Sequence, residues 1–115
     1  RRKRFDNDKE NIKGEKQMTI EIKKNVDETV LEIVGRLDTI TAPALEKTIH
    51  ENFGEIKSLI LDFKQLEYIS SAGLRVLLSA QKKLQQNGTM KLKNVREEVM
   101  DVFEMTGFAD ILTIE

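Results

Sequence analysis

The amino-acid sequence predicts a single α/β domain built on a mixed, mostly parallel β-sheet that starts with a β-hairpin. Two alternating apolar stretches separated by a polar turn come first, a pattern typical of a hairpin. After them, runs with strand character alternate with amphipathic stretches of helical period. That order is typical of parallel strands joined by right-handed crossover helices. The chain has 115 residues, enough for one domain with a core of its own.

The hairpin is predicted from Met18 onward. Met18, Ile20 and Ile22 alternate with polar residues, as in a half-buried strand. The polar segment 25–28 is turn-like, and Thr29–Leu37 follows as the second strand.

The first helix is predicted to begin at Thr41-Ala42-Pro43. Thr is a good N-cap, and Pro is tolerated in the first turn because its missing N–H leaves no hydrogen bond unmade. Gly54 ends the helix. Its apolar face comprises Ala42, Leu45, Ile49 and Phe53. The next segment, Ser58–Phe63, is apolar almost throughout, which indicates a central parallel strand covered on both faces.

The second half of the chain is predicted to hold two more helices. We interpret Leu66-Glu67-Tyr68-Ile69 as a connection to a helix that begins at Ser70-Ser71-Ala72-Gly73 and ends at Asn87-Gly88. Met90–Asn94 follows as a short strand. The inward residues of the second helix are Leu74, Leu77, Leu78 and Leu84.

The third helix is predicted over Arg96–Thr106 and ends at Gly107. Its inward residues are Val99, Val102 and Phe103. Residues 111–114 are compatible with a final strand or with a helical turn.

Composition excludes several classes of protein. The chain contains no Cys, so it holds no disulfide, thiolate zinc site, thiol nucleophile or iron–sulfur cluster. The single histidine, His50, excludes a multi-histidine metal site within one chain. Gly-rich phosphate loops, a nucleophile elbow and the HExxH motif are absent from the sequence. We therefore expect no enzyme, no catalytic residues, no metal and no cofactor.

Residues 1–17 differ in composition from the rest of the chain. They carry seven basic and four acidic residues, whereas residues 18–115 carry 12 basic and 16 acidic residues. Phe5 and Ile12 are the only large apolar residues in this segment, too few to offset its ordering entropy. We predict a disordered polar tail over 1–17 and one folded domain over 18–115.

The predicted domain is mildly acidic, which opposes contact with a phosphate backbone, so we expect no direct nucleic-acid binding. No apolar run approaches the ~20 residues of a membrane span. We expect no membrane insertion and a cytoplasmic location.

Ser70-Ser71 is the most informative candidate site. The pair follows a buried strand and its connection, at the start of an amphipathic helix. Ligand sites in open α/β folds lie at the carboxyl ends of parallel strands, and a helix N-terminus presents free N–H groups that suit a phosphate. Gly73 would allow another surface to approach the backbone closely. The alternative is an ordinary serine N-cap.

At these residues the sequence resembles the STAS family, the anti-sigma-factor antagonists of bacteria. The segment Ser70-Ser71-Ala72-Gly73-Leu74 is similar to the family's phosphoacceptor motif, and Gly35-Arg36-Leu37-Asp38 is similar to its upstream motif. The strand Leu61-Asp62-Phe63 and the late segments Val102-Phe103 and Thr106-Gly107-Phe108 also resemble the family pattern. The resemblance covers about residues 18–115, with the motifs in the family's order.

The resemblance implies that Ser71 is the phosphoacceptor. Ser70 stands where the family usually has Asp, and Ala72 where it has Ser or Thr, so Ser70 is an alternative acceptor. The implied partner-binding residues are Asp38, Ser70, Ser71, Ala72, Gly73, Leu74 and Arg75.

The function implied by the resemblance is a switch without catalysis. The unphosphorylated protein would bind an anti-sigma factor that is also a serine kinase, which frees a sigma factor. Phosphorylation of Ser71 would block that binding, and a serine phosphatase would reset the switch. One alternative is a STAS subunit of a lipid-transport ATPase or a stress-signalling scaffold, with constitutive partner binding. Another is a sensor that holds a phosphate or nucleotide at the helix N-terminus.

Overall fold

The computed structural model describes residues 18–52, 54, 56–86 and 88–115. The predicted disordered tail, residues 1–17, lies outside the described residues. So do Phe53, assigned to the first helix, and Asn87, assigned to the end of the second.

The sheet begins with the predicted hairpin. Strands β1 (Thr19–Lys24) and β2 (Thr29–Leu37) pair antiparallel, with Thr19 opposite Val34 and Lys24 opposite Thr29. Strand β2 pairs parallel with β3 (Ser58–Asp62), and β3 pairs parallel with β5 (Thr89–Lys93). The strand order β1-β2-β3-β5 confirms the predicted mixed, mostly parallel sheet.

The interpretation of Leu66–Ile69 as a connection is wrong, because these residues form strand β4. Strand β4 pairs parallel with the carboxyl end of β2, so that Leu37 lies opposite Ile69. The register shifts between Gly35 and Arg36, and burial along β4 runs buried, exposed, exposed, buried. The alternation by which a strand is recognised in sequence is therefore missing from this segment.

Three α-helices accompany these strands in the described part of the chain. They are α1 (Ala42–Asn52), α2 (Ser71–Leu84) and α3 (Glu97–Thr106). Helix α2 ends before the stop predicted at Asn87-Gly88. Helix α3 ends at Gly107 as predicted, and the φ of Gly107 is 85°, in the left-handed region. A short 3-10 helix, Phe108–Asp110, follows, and Ile114 forms a parallel bridge with Leu92 of β5.

The core lies against one face of β2. Leu31, Ile33 and Leu37 on that face are buried, whereas Val30 and Val34 on the opposite face are half-buried. The consecutive residues Leu59, Ile60 and Leu61 of β3 are all buried, which confirms a central strand covered on both faces. The helices contribute the predicted residues Leu45, Ile49, Leu74, Leu77, Leu84, Val99 and Phe103. In the described part of the chain, no helix has both the length and the apolar character needed to cross a membrane.

Candidate functional site

The candidate site forms where the carboxyl ends of β2 and β4 meet the N-terminus of α2. The backbone N–H of Ser70 donates to the carbonyl oxygen of Leu37 at 2.9 Å, which ties the start of α2 to the end of β2. Ser70 occupies the N-cap position in extended conformation, and its carbonyl oxygen accepts from the N–H of Leu74 at 3.0 Å. Two predicted motifs far apart in sequence thereby become neighbours.

Gly73 allows this close packing. A Cβ atom at Gly73 would lie 2.8 Å from Leu37 Cγ and 2.9 Å from Ile69 Cγ1, closer than real Cβ contacts. The surface that approaches the Gly73 backbone is therefore the protein's own core. Gly73 and Leu74, both among the predicted partner-binding residues, are buried and position the site from beneath.

The two adjacent serines have different surroundings. Ser71, the first residue of α2, is exposed. The Oγ of Ser70 is buried, and within the described residues it has no hydrogen-bond partner. The Ser70 side chain makes no capping hydrogen bond, so the pair is not an ordinary serine cap. Ser71, the predicted acceptor, is therefore the accessible serine of the pair, whereas the hydroxyl of the alternative, Ser70, is enclosed.

Asp38 organises the loop between β2 and α1. Its Oδ1 accepts from the backbone N–H groups of Ile40 at 3.0 Å and Thr41 at 3.1 Å. The Thr41 hydroxyl accepts from the N–H of Asp38 at 2.9 Å and lies 2.6 Å from the carbonyl oxygen of Arg36. The Thr41 hydroxyl, which we predicted to cap α1, is therefore hydrogen-bonded within the loop instead.

These contacts favour the ionised form of Asp38. Partial burial, the largest single influence, raises the pKa of the Asp38 carboxyl. The hydrogen bonds from Thr41 and Ile40 and the charge of Arg36 outweigh that influence together and hold the pKa below its ordinary value. Asp38 is thus a fixed negative charge in a shaped loop.

Sequence reasoning missed Arg36 and Tyr68 as site residues. They lie opposite each other on β2 and β4, and the Arg36 guanidinium sits over the Tyr68 ring, 4.2 Å from its centroid. Arg36 Nε also lies 3.6 Å from Asp38 Oδ2. Tyr68 is 41% exposed, and Ile40 on the neighbouring loop is 81% exposed. In the sequence, Tyr68 lies in Leu66-Glu67-Tyr68-Ile69, a segment that we interpreted as a connection, so no strand pairing indicated that its ring would face Arg36.

The surface around Ser71 carries charges of both signs. The first turn of α2 has no acidic residue, and Arg75, one turn after Ser71, is exposed. Arg36 adds a second guanidinium, partly balanced by Asp38. Asp38 and Glu67 on β4 supply two negative charges beside these two guanidinium groups, so the charges at this end of the sheet balance.

The described residues offer no group of three or more His, Cys, Asp or Glu side chains that could hold a metal ion. An open depression of about 200 Å³ lies between β2 and the β3–β4 turn. Its lining includes Glu32, Asp62 and Lys64 but not Ser70 or Ser71. What the candidate site offers is therefore an exposed hydroxyl within a surface of mixed polar, cationic and apolar groups.

Comparison with known proteins gives consistent results. Residues 17–115 match the family model described as the STAS domain. The anti-sigma-B factor antagonist of Bacillus subtilis (strain 168) is 29% identical over 98 residues, which cover 84% of this chain and 90% of that protein.

Solved structures share the fold. An anti-sigma factor antagonist from Mycobacterium paratuberculosis superposes with a TM-score of 0.77 at 23% identity, covering 85% of each chain. The unphosphorylated form of the anti-sigma factor antagonist SpoIIAA superposes with a TM-score of 0.73 at 19% identity, covering 84% of this chain and 88% of that one. The phosphorylated form of the Bacillus protein SpoIIAA gives a TM-score of 0.67 at 19% identity, covering 84% of this chain and 91% of that one.

Proposed function

Because this chain belongs to the STAS domain family, we propose that it acts as an anti-sigma-factor antagonist, a regulatory binding protein rather than an enzyme. Its relative in Bacillus subtilis carries that name and aligns over most of both chains. The exposed Ser71 beside the buried Oγ of Ser70 is the observation that carries the proposal, since it leaves one accessible acceptor at the start of α2.

The unphosphorylated protein binds an anti-sigma factor that is also a serine kinase, and this binding releases a sigma factor. The binding surface comprises Asp38, Ser70, Ser71, Ala72 and Arg75, with Gly73 and Leu74 holding the helix start in place from the core side. Exposed Ile40 and the Arg36–Tyr68 stack extend this surface. Tyr and Arg are enriched among residues that dominate binding energy, so these neighbours suit an interface.

Phosphorylation by the bound kinase reverses the association. The Ser71 Oγ attacks the γ-phosphorus of the kinase's ATP and forms a new O–P bond. The bond between the γ-phosphorus and its bridging oxygen breaks, ADP leaves with that electron pair, and the hydroxyl proton passes to a base on the kinase. A serine phosphatase restores the hydroxyl by hydrolysis of the phosphoserine.

The magnitudes favour a block at the interface. The phosphate adds about −1.5 to −2 charges at pH 7. A 100-fold loss of affinity needs about 2.8 kcal/mol. Burying a new charge against an unprepared partner surface readily exceeds that value.

The test uses four purified proteins: wild type, Ser71→Ala, Ser71→Glu and, as the matched control, Ser70→Ala. Each is used as bait in a lysate of the source bacterium, with retained proteins identified by mass spectrometry, and each is then incubated with the retained kinase and ATP. We expect an ATP-binding anti-sigma factor on every bait except Ser71→Glu. We also expect incorporation of phosphate into wild type and Ser70→Ala but not into Ser71→Ala.

Two results would contradict the proposal. Equal retention of one partner by all four baits would make Ser71 part of a constitutive scaffold, as in a transport or stress-signalling assembly. Phosphate found in Ser71→Ala would move the acceptor to another hydroxyl.

A further inference from the structure

We propose that phosphoserine 71 pairs with Arg75, so that phosphorylation withdraws a guanidinium from the partner surface in the same step that adds the phosphate. The inference rests on the proposed function, because that function supplies the kinase that phosphorylates Ser71. The geometry of the pair itself depends only on α2.

Ser71 and Arg75 lie four residues apart on α2, and both are exposed. Side chains at this spacing are neighbours on one helix face, with Cβ atoms about 5–6 Å apart. The order also matters, because an acidic group N-terminal to a basic group at this spacing is the more stabilising arrangement along the helix dipole. Ser71 is the first residue of α2, where a negative charge is best tolerated.

Arg75 is available for such a pair. Within residues 18–52, 54, 56–86 and 88–115, no ion pair, hydrogen bond or ring contact involves its side chain. The guanidinium of Arg36 is instead held by the Tyr68 ring and by Asp38. Arg75 is thus the cation that can turn toward a new anion without breaking an existing contact.

The chemistry of the two groups is complementary. A phosphate presents three strong acceptor oxygens, and a guanidinium presents a planar fork of N–H donors that can engage two of them at once. A lysine at position 75 would supply the charge without the fork. The other charged groups on the elements packed against the start of α2 are Arg36 and Asp38 at the end of β2 and Glu67 on β4.

The pairing changes the partner surface at two positions. An anti-sigma factor that binds the unphosphorylated protein meets a free hydroxyl at Ser71 and a free guanidinium at Arg75. After phosphorylation it meets an anion whose nearest cation is already engaged. A partner carboxylate that contacts Arg75 in the unphosphorylated complex loses its cation. The partner surface that accommodates the uncharged Ser71 hydroxyl must also face a phosphate.

The experiment installs phosphoserine at position 71 during translation, so that it requires neither kinase nor partner. The second pKa of the phosphate, ordinarily about 6, is measured by phosphorus-31 NMR in otherwise wild-type protein and in Arg75→Gln, Arg75→Lys and Lys82→Gln. Lys82 lies in the last turn of the same helix and is the matched loss of one positive charge. The Arg75 Nε–H resonance is followed in parallel by nitrogen-15 NMR.

We expect Arg75→Gln to raise that pKa by about 0.2–0.4 unit, the size that an ordinary ion pair at this spacing implies. In Arg75→Lys the pKa should rise much less than in Arg75→Gln, because the positive charge is kept. In Lys82→Gln the pKa should stay at the value of the otherwise wild-type protein. The Arg75 Nε–H should shift and exchange more slowly only in the phosphorylated protein. Equal pKa values in Arg75→Gln and Lys82→Gln, with an unchanged Nε–H resonance, would overturn the inference.

The outcomes remain separable from those of the proposed function. If the pair forms but Ser71→Glu still retains the anti-sigma factor, the switch fails and the pairing stands. If phosphorylation blocks binding while the pKa in Arg75→Gln is unchanged, the switch stands without the pairing.

Discussion

At the scale of single residues, two adjacent serines have different surroundings, and we propose different roles for them. The Ser70 backbone is bound to Leu37 and its Oγ is enclosed, whereas the Ser71 side chain is exposed at the start of α2. A hydroxyl that attacks the γ-phosphorus of ATP has to be accessible, as that of Ser71 is. The enclosed hydroxyl of Ser70 instead forms part of the packing beneath the surface. Chemical identity alone does not separate the two; burial does.

Asp38 makes stability depend on pH in a predictable direction. The folded protein lowers the pKa of this carboxyl, so its contribution is fully present above the unfolded value of about 3.9 and is lost as pH falls through the folded value. We expect Asp38→Asn to reduce the free energy of unfolding by about 1 kcal/mol at neutral pH. The difference from wild type should shrink toward zero in strongly acidic solution.

Urea denaturation of both proteins at several pH values measures this difference. Asp101→Asn, at an exposed position of α3, is the control and should stay within about 0.5 kcal/mol of wild type at neutral pH. A difference between wild type and Asp38→Asn that persists unchanged into acid would show that the charge of Asp38 is not what the loop uses.

At the scale of elements, the first turn of α2 is held against the ends of β2 and β4 by the absence of a side chain at Gly73. Leu37 and Ile69, one from each strand, occupy the space that a methyl group would need. The position of Ser71 therefore depends on strand packing beneath it, not only on the helix that carries it.

Gly73→Ala is expected to destabilise the protein although alanine is the better helix former. Overpacking costs about 1–3 kcal/mol, which exceeds or offsets the roughly 1 kcal/mol gained in helix propensity. Gly54→Ala is the matched control, because a Cβ there meets no atom within 4 Å. Thermal unfolding of the two variants measures the contrast; a Gly73→Ala protein as stable as the Gly54→Ala protein would contradict the close approach.

At the scale of the whole molecule, the sheet brings the charged and apolar groups of the site together at one end, with core residues directly beneath them. Phe103, Leu77 and Leu61 are fully buried and lie on three different elements. The exposed groups at the start of α2 contribute little to that core. The exposed residues that we propose to bind the partner and the buried residues of the core are thus different residues of the same helix.

This separation predicts the effect of a negative charge at position 71. We expect Ser71→Glu to change the free energy of unfolding by less than about 1 kcal/mol, since an anion at a helix N-terminus is stabilised by only about 0.3–1 kcal/mol. Leu77→Ala, on the same helix but in the core, should cost about 2–5 kcal/mol. Guanidinium denaturation of the three proteins provides the comparison. A Ser71→Glu protein as unstable as Leu77→Ala would mean that the switch acts by unfolding.

The hairpin, the three helices and most of the core were predictable from local sequence patterns. Ala42, Leu45 and Ile49 repeat at helical spacing, and Leu59, Ile60 and Leu61 form an unbroken apolar run. Such patterns are local, because each element presents its apolar residues with its own period regardless of what it packs against. The prediction of Ser71 as the phosphoacceptor likewise depends on a short motif at a predicted helix start.

Other features of the site arise from contacts between segments that are distant in sequence, and these were visible in the tertiary structure alone. The four residues Leu66–Ile69 become a strand because the end of β2 offers them an edge and a shifted register. Tyr68 joins the site because Arg36 lies opposite it, and Ser70 is enclosed because α2 packs down on Leu37. Pairing and burial are properties of two segments at once, so no periodicity within either segment could have predicted them.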